Sequence, residues 1–219
     1  MQIALLIIVG VLGTIIGSFL NVCIYRIPKK ESIVWPASHC PTCSHTLSTL
    51  DLIPVFSFIF LRRCCRYCKA PISWLYPIME SLTSVLWIMA WLEFGFSLEF
   101  LSAVIFISLG IIITFIDLDY QIIPDVISLP GVIIGLLLAL LSGSPTIIDA
   151  LIGAFGGAVL LFLVAFLSRG GMGGGDAKLL AMVGAFFGWQ GAAATLMIGS
   201  VAGAIIGLLL IALKIIKRR

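Results

Sequence analysis

FLSAVIFISLGIIITFIDLDYQIIPD, residues 100–125, decides the fold. Its first fifteen residues, 100–114, carry no charge, and then Asp117, Asp119 and Asp125 arrive within nine positions. An uncharged apolar run that ends abruptly in acids reads as a helix leaving a bilayer. The rest of the chain agrees. It has 219 residues, of which 61% are hydrophobic and 11% charged, against about 25% charged in an average soluble domain. With a mean hydropathy of +1.23, there is too little polar surface to cover a water-soluble globule. The composition predicts an all-α integral membrane protein.

A membrane-spanning helix needs about 20 apolar residues, or somewhat fewer. Seven runs qualify: 3–24, 72–91, 100–116, 126–141, 147–167, 177–189 and 192–216. Barrel strands would alternate between apolar and polar residues, whereas these runs are continuous. The first run has no basic residue before it and no small-residue cleavage site after it, so it reads as a retained helix. The expected architecture is a bundle of about seven transmembrane helices.

Lysine and arginine orient the bundle. Arg26, Lys29, Lys30, Arg62, Arg63, Arg66 and Lys69 lie between runs one and two. Arg169 and Lys178 flank the gap between runs five and six, and Lys214, Lys217, Arg218 and Arg219 follow run seven. Seven crossings put all thirteen on one side, which the positive-inside rule assigns to the cytoplasm. Three parts result: a first span over 1–25, a polar cytoplasmic insert over 26–70, and a helical bundle over 71–219.

This topology brings acids from distant segments to one face. Asp117 and Asp119 lie where run three emerges. Pro124 disfavours helix at Ile123, and Asp125 is suited to cap run four. Runs four and five go out and back, and the chain returns at SRGGMGGGDAK, 168–178. Asp176 then sits at the same membrane face as Asp117. Gly170, Gly171, Gly173, Gly174 and Gly175 let another backbone or a substrate approach closely. The stretch is no Walker phosphate loop, because Asp176 stands where Lys-Ser/Thr would be required. Two neighbouring carboxylates share a proton, so one acts as base on water while the other donates to a scissile carbonyl. The plainer reading makes Asp176 a helix cap and Asp117 a solvated acid.

The insert carries a second constellation. CPTC (40–43) and CRYC (65–68) are separated by 21 residues, a spacing that suits one zinc ion held by Cys40, Cys43, Cys65 and Cys68. On the cytoplasmic side disulfides rarely persist. Four protein ligands leave no open position, so the metal would be structural. Cys64 is a neighbouring alternative to Cys65. Cys23 reads as a packing residue, and His39 and His45 have no necessary ligand role. Glu80, inside run two, is either functional or an anchor for helix packing. Gly153/Gly157, Gly184/Gly188 and Gly199/Gly203/Gly207 form small-residue faces for helix packing.

Taken together, the motifs resemble the bacterial type IV prepilin peptidases over nearly the whole chain. GSFLNVCIYRIP (17–28) is similar to their N-terminal signature. CPTC, DLIPVFSF (51–58) and CRYCKAPIS (65–73) are similar to their cytoplasmic domain, and YPIMESLT (76–83) to the following helix. IDLDYQIIPD and GGGDAK resemble the two active-site segments, the second being the family's Gly-x-Gly-Asp motif. Leu75 departs from the Arg that often precedes YP in this family. The resemblance implies an aspartic endopeptidase that removes a short basic leader from prepilins or pseudopilins after a glycine. It also implies N-methylation of the new terminal residue with S-adenosylmethionine. The catalytic pair carries over to Asp117 and Asp176. Asp117 is chosen over Asp119 because the family's acid lies seven residues before the Pro, here Pro124. No residue carries over for the methyl donor. The expected partners are prepilin or pseudopilin substrates and membrane lipid, with no nucleic acid. The family serves pilus assembly, secretion or DNA uptake. Two rivals stay open on the residues alone: a transporter using Glu80, Asp117 and Asp176 as an ion path, and a zinc-bearing scaffold without chemistry.

Overall fold

The computed structural model describes residues 2–167 and 173–213. Ser168, Arg169, Gly170, Gly171, Lys214, Lys217, Arg218 and Arg219 therefore lie outside the described residues. The chain divides into two compact units, Met1–Ile127 and Ser128–Arg219.

The first unit is built on α1 (Gln2–Arg26), α3 (Leu75–Phe94) and α4 (Leu98–Tyr120). Its main seam joins α1 to α3 almost backbone to backbone. A Cβ on Gly13 would lie 2.7 Å from Cα of Ser84, and one on Gly17 would lie 2.8 Å from Cα of Glu80. Polar atoms stitch the same seam, as expected where the surroundings offer no water. The Ser84 hydroxyl donates to the Gly10 carbonyl at 2.9 Å, and Asn21 Nδ2 donates to the Tyr76 carbonyl at 3.3 Å. Between α1 and α3 the insert forms a short 3-10 turn, Thr49–Leu52, and one small helix, α2 (Phe56–Phe60). Phe58 of α2 and Arg63 just after it both pack on the Trp74 ring, at 5.0 Å each.

The second unit contains most of α5 (Asp125–Ser142), then α6 (Ile147–Leu151), a π-helical turn (Ile152–Gly156), α7 (Gly157–Leu167) and α8 (Gly174–Ala212). The segment Ile147–Leu167 is one continuous span of 21 residues, and its π turn exposes the Gly153 carbonyl to α8. A Cβ on Gly184 would lie 2.3 Å from that oxygen.

Among the described residues six helices are long and apolar enough to cross a membrane, where the sequence predicts seven runs. The difference is α8. At 39 residues it would reach about 58 Å if straight, roughly twice the hydrocarbon thickness. It is not straight, because Gly188 adopts φ 71° and ψ −173°, a conformation open chiefly to glycine. Leu180 and Ala192 would stand about 18 Å apart on a straight helix. Yet a Cβ on Gly157 would lie 3.1 Å from Leu180 Cγ and 3.6 Å from Ala192 Cβ. Both pack on Leu161. The two arms of α8 therefore fold back on each other at Gly188, beside the predicted boundary between runs six and seven.

Two of the three small-residue faces are buried as expected. Gly153 and Gly184 meet each other directly. Gly199, Gly203 and Gly207 have no atom within 4 Å of a would-be Cβ among the described residues, so that face packs on nothing there.

Candidate metal centre and acidic sites

CPTC and CRYC fold into two copies of one turn. In the first, the Cys40 amide donates to the His45 carbonyl, and the Ser44 amide donates to the Cys40 carbonyl. In the second, the Cys65 amide donates to the Ala70 carbonyl, and the Lys69 amide donates to the Cys65 carbonyl. Ser44 and Lys69 occupy the same left-handed position, with φ 57° and 61°. Each turn directs two sulfurs to the same side. The Sγ atoms of Cys40, Cys43, Cys65 and Cys68 all lie within 4.8 Å of one another, and Cys40–Cys68 is 3.8 Å. A zinc–sulfur length of about 2.3 Å gives tetrahedral edges of about 3.8 Å. The donor set therefore fits a tetrahedral thiophilic ion. All six cysteines are free thiols.

Electrostatics in the cluster point the same way. The Cys43 amide, with the Thr42 amide and two neighbouring thiols, brings Cys40 down to about 6. At Cys68 the Ala70 amide pulls the thiol down, but burial and its three neighbours push it up to about 12. Four sulfurs this close ionise together only around a cation.

The neighbours of the cluster hold structural roles. Cys64 forms a bridge with Pro71 and stands outside the cluster. His45 stacks on Tyr67 at 3.6 Å between ring centroids, tying one turn to the other. His39 Nδ1 lies 3.2 Å from the Ala37 carbonyl. Cys23 is buried in α1 at 3% exposure. The Arg66 guanidinium donates to Asp51 at 2.6 Å. Burial would raise Asp51, but Arg66 and Ser48 hold it down to about 2.

Glu80, which sequence reading leaves undecided, ties the insert to the membrane helices. Its Oε2 accepts the Val55 amide at 2.7 Å, with the Ser18 hydroxyl as a further neighbour. Beneath the insert, a cavity of about 390 Å³ opens between α1 and α3. Glu80, Arg26, Tyr25, Tyr76, Cys40 and Cys65 are among its walls. In the sequence Arg26 reads only as one of the orienting cations, and the cavity goes unmarked. The available signal was polar residues set inside apolar runs, such as Asn21 in α1 and Tyr76 with Glu80 one turn on in α3.

Asp117 and Asp119 stand in the last turn of α4, exposed, and the Gln121 amide caps the Asp117 carbonyl at 2.8 Å. Carboxylates are disfavoured at a helix C-terminus by the macrodipole, so helix stability does not account for these acids. Asp176 is exposed in the first turn of α8, where the dipole favours it, and its amide donates to the Gly173 carbonyl at 3.2 Å. Its Oδ2 lies 3.6 Å from where a Cβ on Gly173 would sit, an ordinary van der Waals contact. Asp117 belongs to the first unit and Asp176 to the second.

Six apolar helices among the described residues, with a four-thiol insert between the first two, define a multi-pass membrane protein. Residues 11–94 match the family described as Bacterial Peptidase A24 N-terminal domain, and residues 104–208 match the Type IV leader peptidase family. The prepilin leader peptidase/N-methyltransferase of Aeromonas hydrophila is 36% identical over 94% of this chain and 81% of its own length. That of Bacillus subtilis (strain 168) is 38% identical over 91% of this chain and 81% of its own. That of Myxococcus xanthus (strain DK1622) is 39% identical over 92% of this chain, which spans only 62% of that relative. No solved structure matches the chain. The chain belongs to the type IV leader peptidase family, a family of aspartic proteases.

Proposed function

We propose that this protein is a membrane aspartic endopeptidase that removes the basic leader of prepilins or pseudopilins after a glycine, with Asp117 and Asp176 as its catalytic pair. The observation that carries the reading is family membership across both halves of the chain, together with acids at two helix ends in the matched region. One carboxylate, ionised, takes a proton from water as the water attacks the scissile carbonyl. The other, protonated, donates to the carbonyl oxygen and later to the departing amine. The thirteen cations support an active site facing the cytoplasm in the cytoplasmic membrane, where a basic leader would lie. In this reading the chain works in three parts: a first span over 1–25, the insert over 26–70 and the protease bundle over 71–219.

The same reading gives Cys40, Cys43, Cys65 and Cys68 a structural zinc ion. A 45-residue insert (26–70) has little core of its own, so a metal staple supplies order that burial does not. It also gives the protein N-methylation of the new terminal residue. S-adenosylmethionine supplies an electrophilic methyl group for that step. Incubating the purified full chain with a prepilin-like peptide, with and without the donor, tests the reading. Cleavage after glycine is expected, followed by a mass gain of one methyl group; an intact peptide would defeat it.

A further inference from the structure

Arg26 and Glu80 are the buried charged side chains among the described residues, each 6% exposed, and both line the cavity beneath the insert. They do not pair with each other; Arg66 pairs instead with Asp51. Arg26 Nη1 donates to the Ser32 carbonyl at 2.9 Å, and Glu80 accepts from Val55 and neighbours Ser18. Each is thus oriented by the protein, yet neither is neutralised by it. Burying a cation and an anion in one cavity without joining them is costly. A ligand carrying both signs of charge removes the cost at both ends.

We propose that this cavity binds the methyl donor, with Arg26 taking the carboxylate of its amino-acid end and Glu80 the ammonium or sulfonium. The proposal rests on the methylation reading above. The other walls suit the rest of such a molecule. Tyr25, Tyr76 and Phe58 line the same cavity, and aromatic walls suit a sulfonium and a purine. The volume of about 390 Å³ falls within the range of about 300–1,000 Å³ typical of small-molecule sites. Cys40 and Cys65 form part of the wall, so the metal staple also fixes the shape of the site. Asp51, the other acid in the wall, is already engaged by Arg66, which leaves Glu80 as the anion for the ligand.

The test is calorimetric binding of S-adenosylhomocysteine to the zinc-loaded full chain in detergent or nanodiscs. Arg26→Gln and Glu80→Gln are each expected to weaken binding by about tenfold or more. Zinc content and thermal unfolding serve as checks on folding, and Glu99→Gln, at the far end of α4, is expected to bind normally. A second measurement needs no variant. 5′-Methylthioadenosine lacks the amino-acid end and should bind the unaltered protein at least about tenfold more weakly. Equal affinity for the two ligands, or normal binding by both folded variants, overturns the proposal. If the unaltered protein still methylates a cleaved peptide in that case, the methylation reading survives and the site lies elsewhere. A protein that neither binds S-adenosylhomocysteine nor methylates defeats both.

Discussion

The Glu80 carboxylate accepts the Val55 amide at 2.7 Å, and this bond fixes the insert over the α1–α3 seam. Val55 reaches it at a cost. With φ 61° and ψ −49°, and with the Phe56 amide donating to the Pro54 carbonyl at 2.6 Å, it forms the rarer, strained kind of γ-turn. A side chain from α3 thus holds a backbone conformation that a β-branched residue disfavours. Glu80→Ala should destabilise the protein by about 1–3 kcal/mol, because a part-buried amide loses its acceptor. Val55→Gly should be neutral or stabilising by up to about 1 kcal/mol, because glycine relieves the strain. Thermal unfolding in one detergent checks both, and a destabilised Val55→Gly would show the turn is unstrained.

The metal assignment separates cysteines that are neighbours in sequence. Cys65→Ser should abolish zinc in protein purified without chelator, while Cys64→Ser and His45→Ala keep it. Chelation should make residues 26–70 protease-sensitive, since the proposed zinc ion would link the two turns. Elemental analysis and limited proteolysis read the two effects. Retention of zinc by Cys65→Ser would remove the four-thiolate assignment.

For the acids, Asp117→Asn and Asp176→Asn should each lower peptide cleavage by several orders of magnitude, because a lone carboxylate cannot serve as both acid and base. Asp119→Asn should cost far less, and Asp125→Asn keeps a good helix cap. Asp176→Asn should still methylate a pre-cleaved peptide. Normal cleavage by Asp176→Asn would end the aspartic-protease assignment, and normal cleavage by Asp117→Asn with loss in Asp119→Asn would move the role two residues on.

Helix packing in the second unit gives a contrast between glycines. A Cβ at Gly184 would fall 2.1 Å from the Gly153 carbonyl carbon, and backbone cannot swing aside as a side chain does. Gly184→Ala should therefore cost about 3 kcal/mol. Gly203→Ala, with nothing nearby, should stabilise by up to about 1 kcal/mol through helix propensity. Similar melting temperatures for the two variants would contradict the close approach.

Asp51 supplies the pH dependence. Its folded value of about 2 lies below the ordinary 3.8, so its contribution to stability is complete above the higher value. That contribution falls as pH drops from 3.8 toward 2. Arg66→Gln should move the titration of Asp51 up toward 3.8, as read by carbon NMR of labelled carboxyl groups. An unmoved titration would show that Arg66 does not hold the carboxylate.

Where the chain crosses the membrane was legible in sequence because lipid enforces a single-segment rule. Each span must be apolar and satisfy its own backbone hydrogen bonds, so length and composition suffice. The four-thiol cluster was legible for a related reason: two turns of fixed length each present a pair of thiols, whatever surrounds them. What Glu80 does was not legible, because its partner is the backbone amide of Val55, 25 residues away, and an amide leaves no mark in a sequence. Nor was the sharing of one cavity by Arg26 and Glu80, which depends on Gly13 and Gly17 bringing α1 against α3. The fold-back at Gly188 lies between. The sequence placed the break within a few residues through the apolar runs, but only the packing of Leu180 and Ala192 on Leu161 established that the arms return on each other. Local rules determine elements, and the meeting of side chains from separate elements is decided by tertiary packing alone.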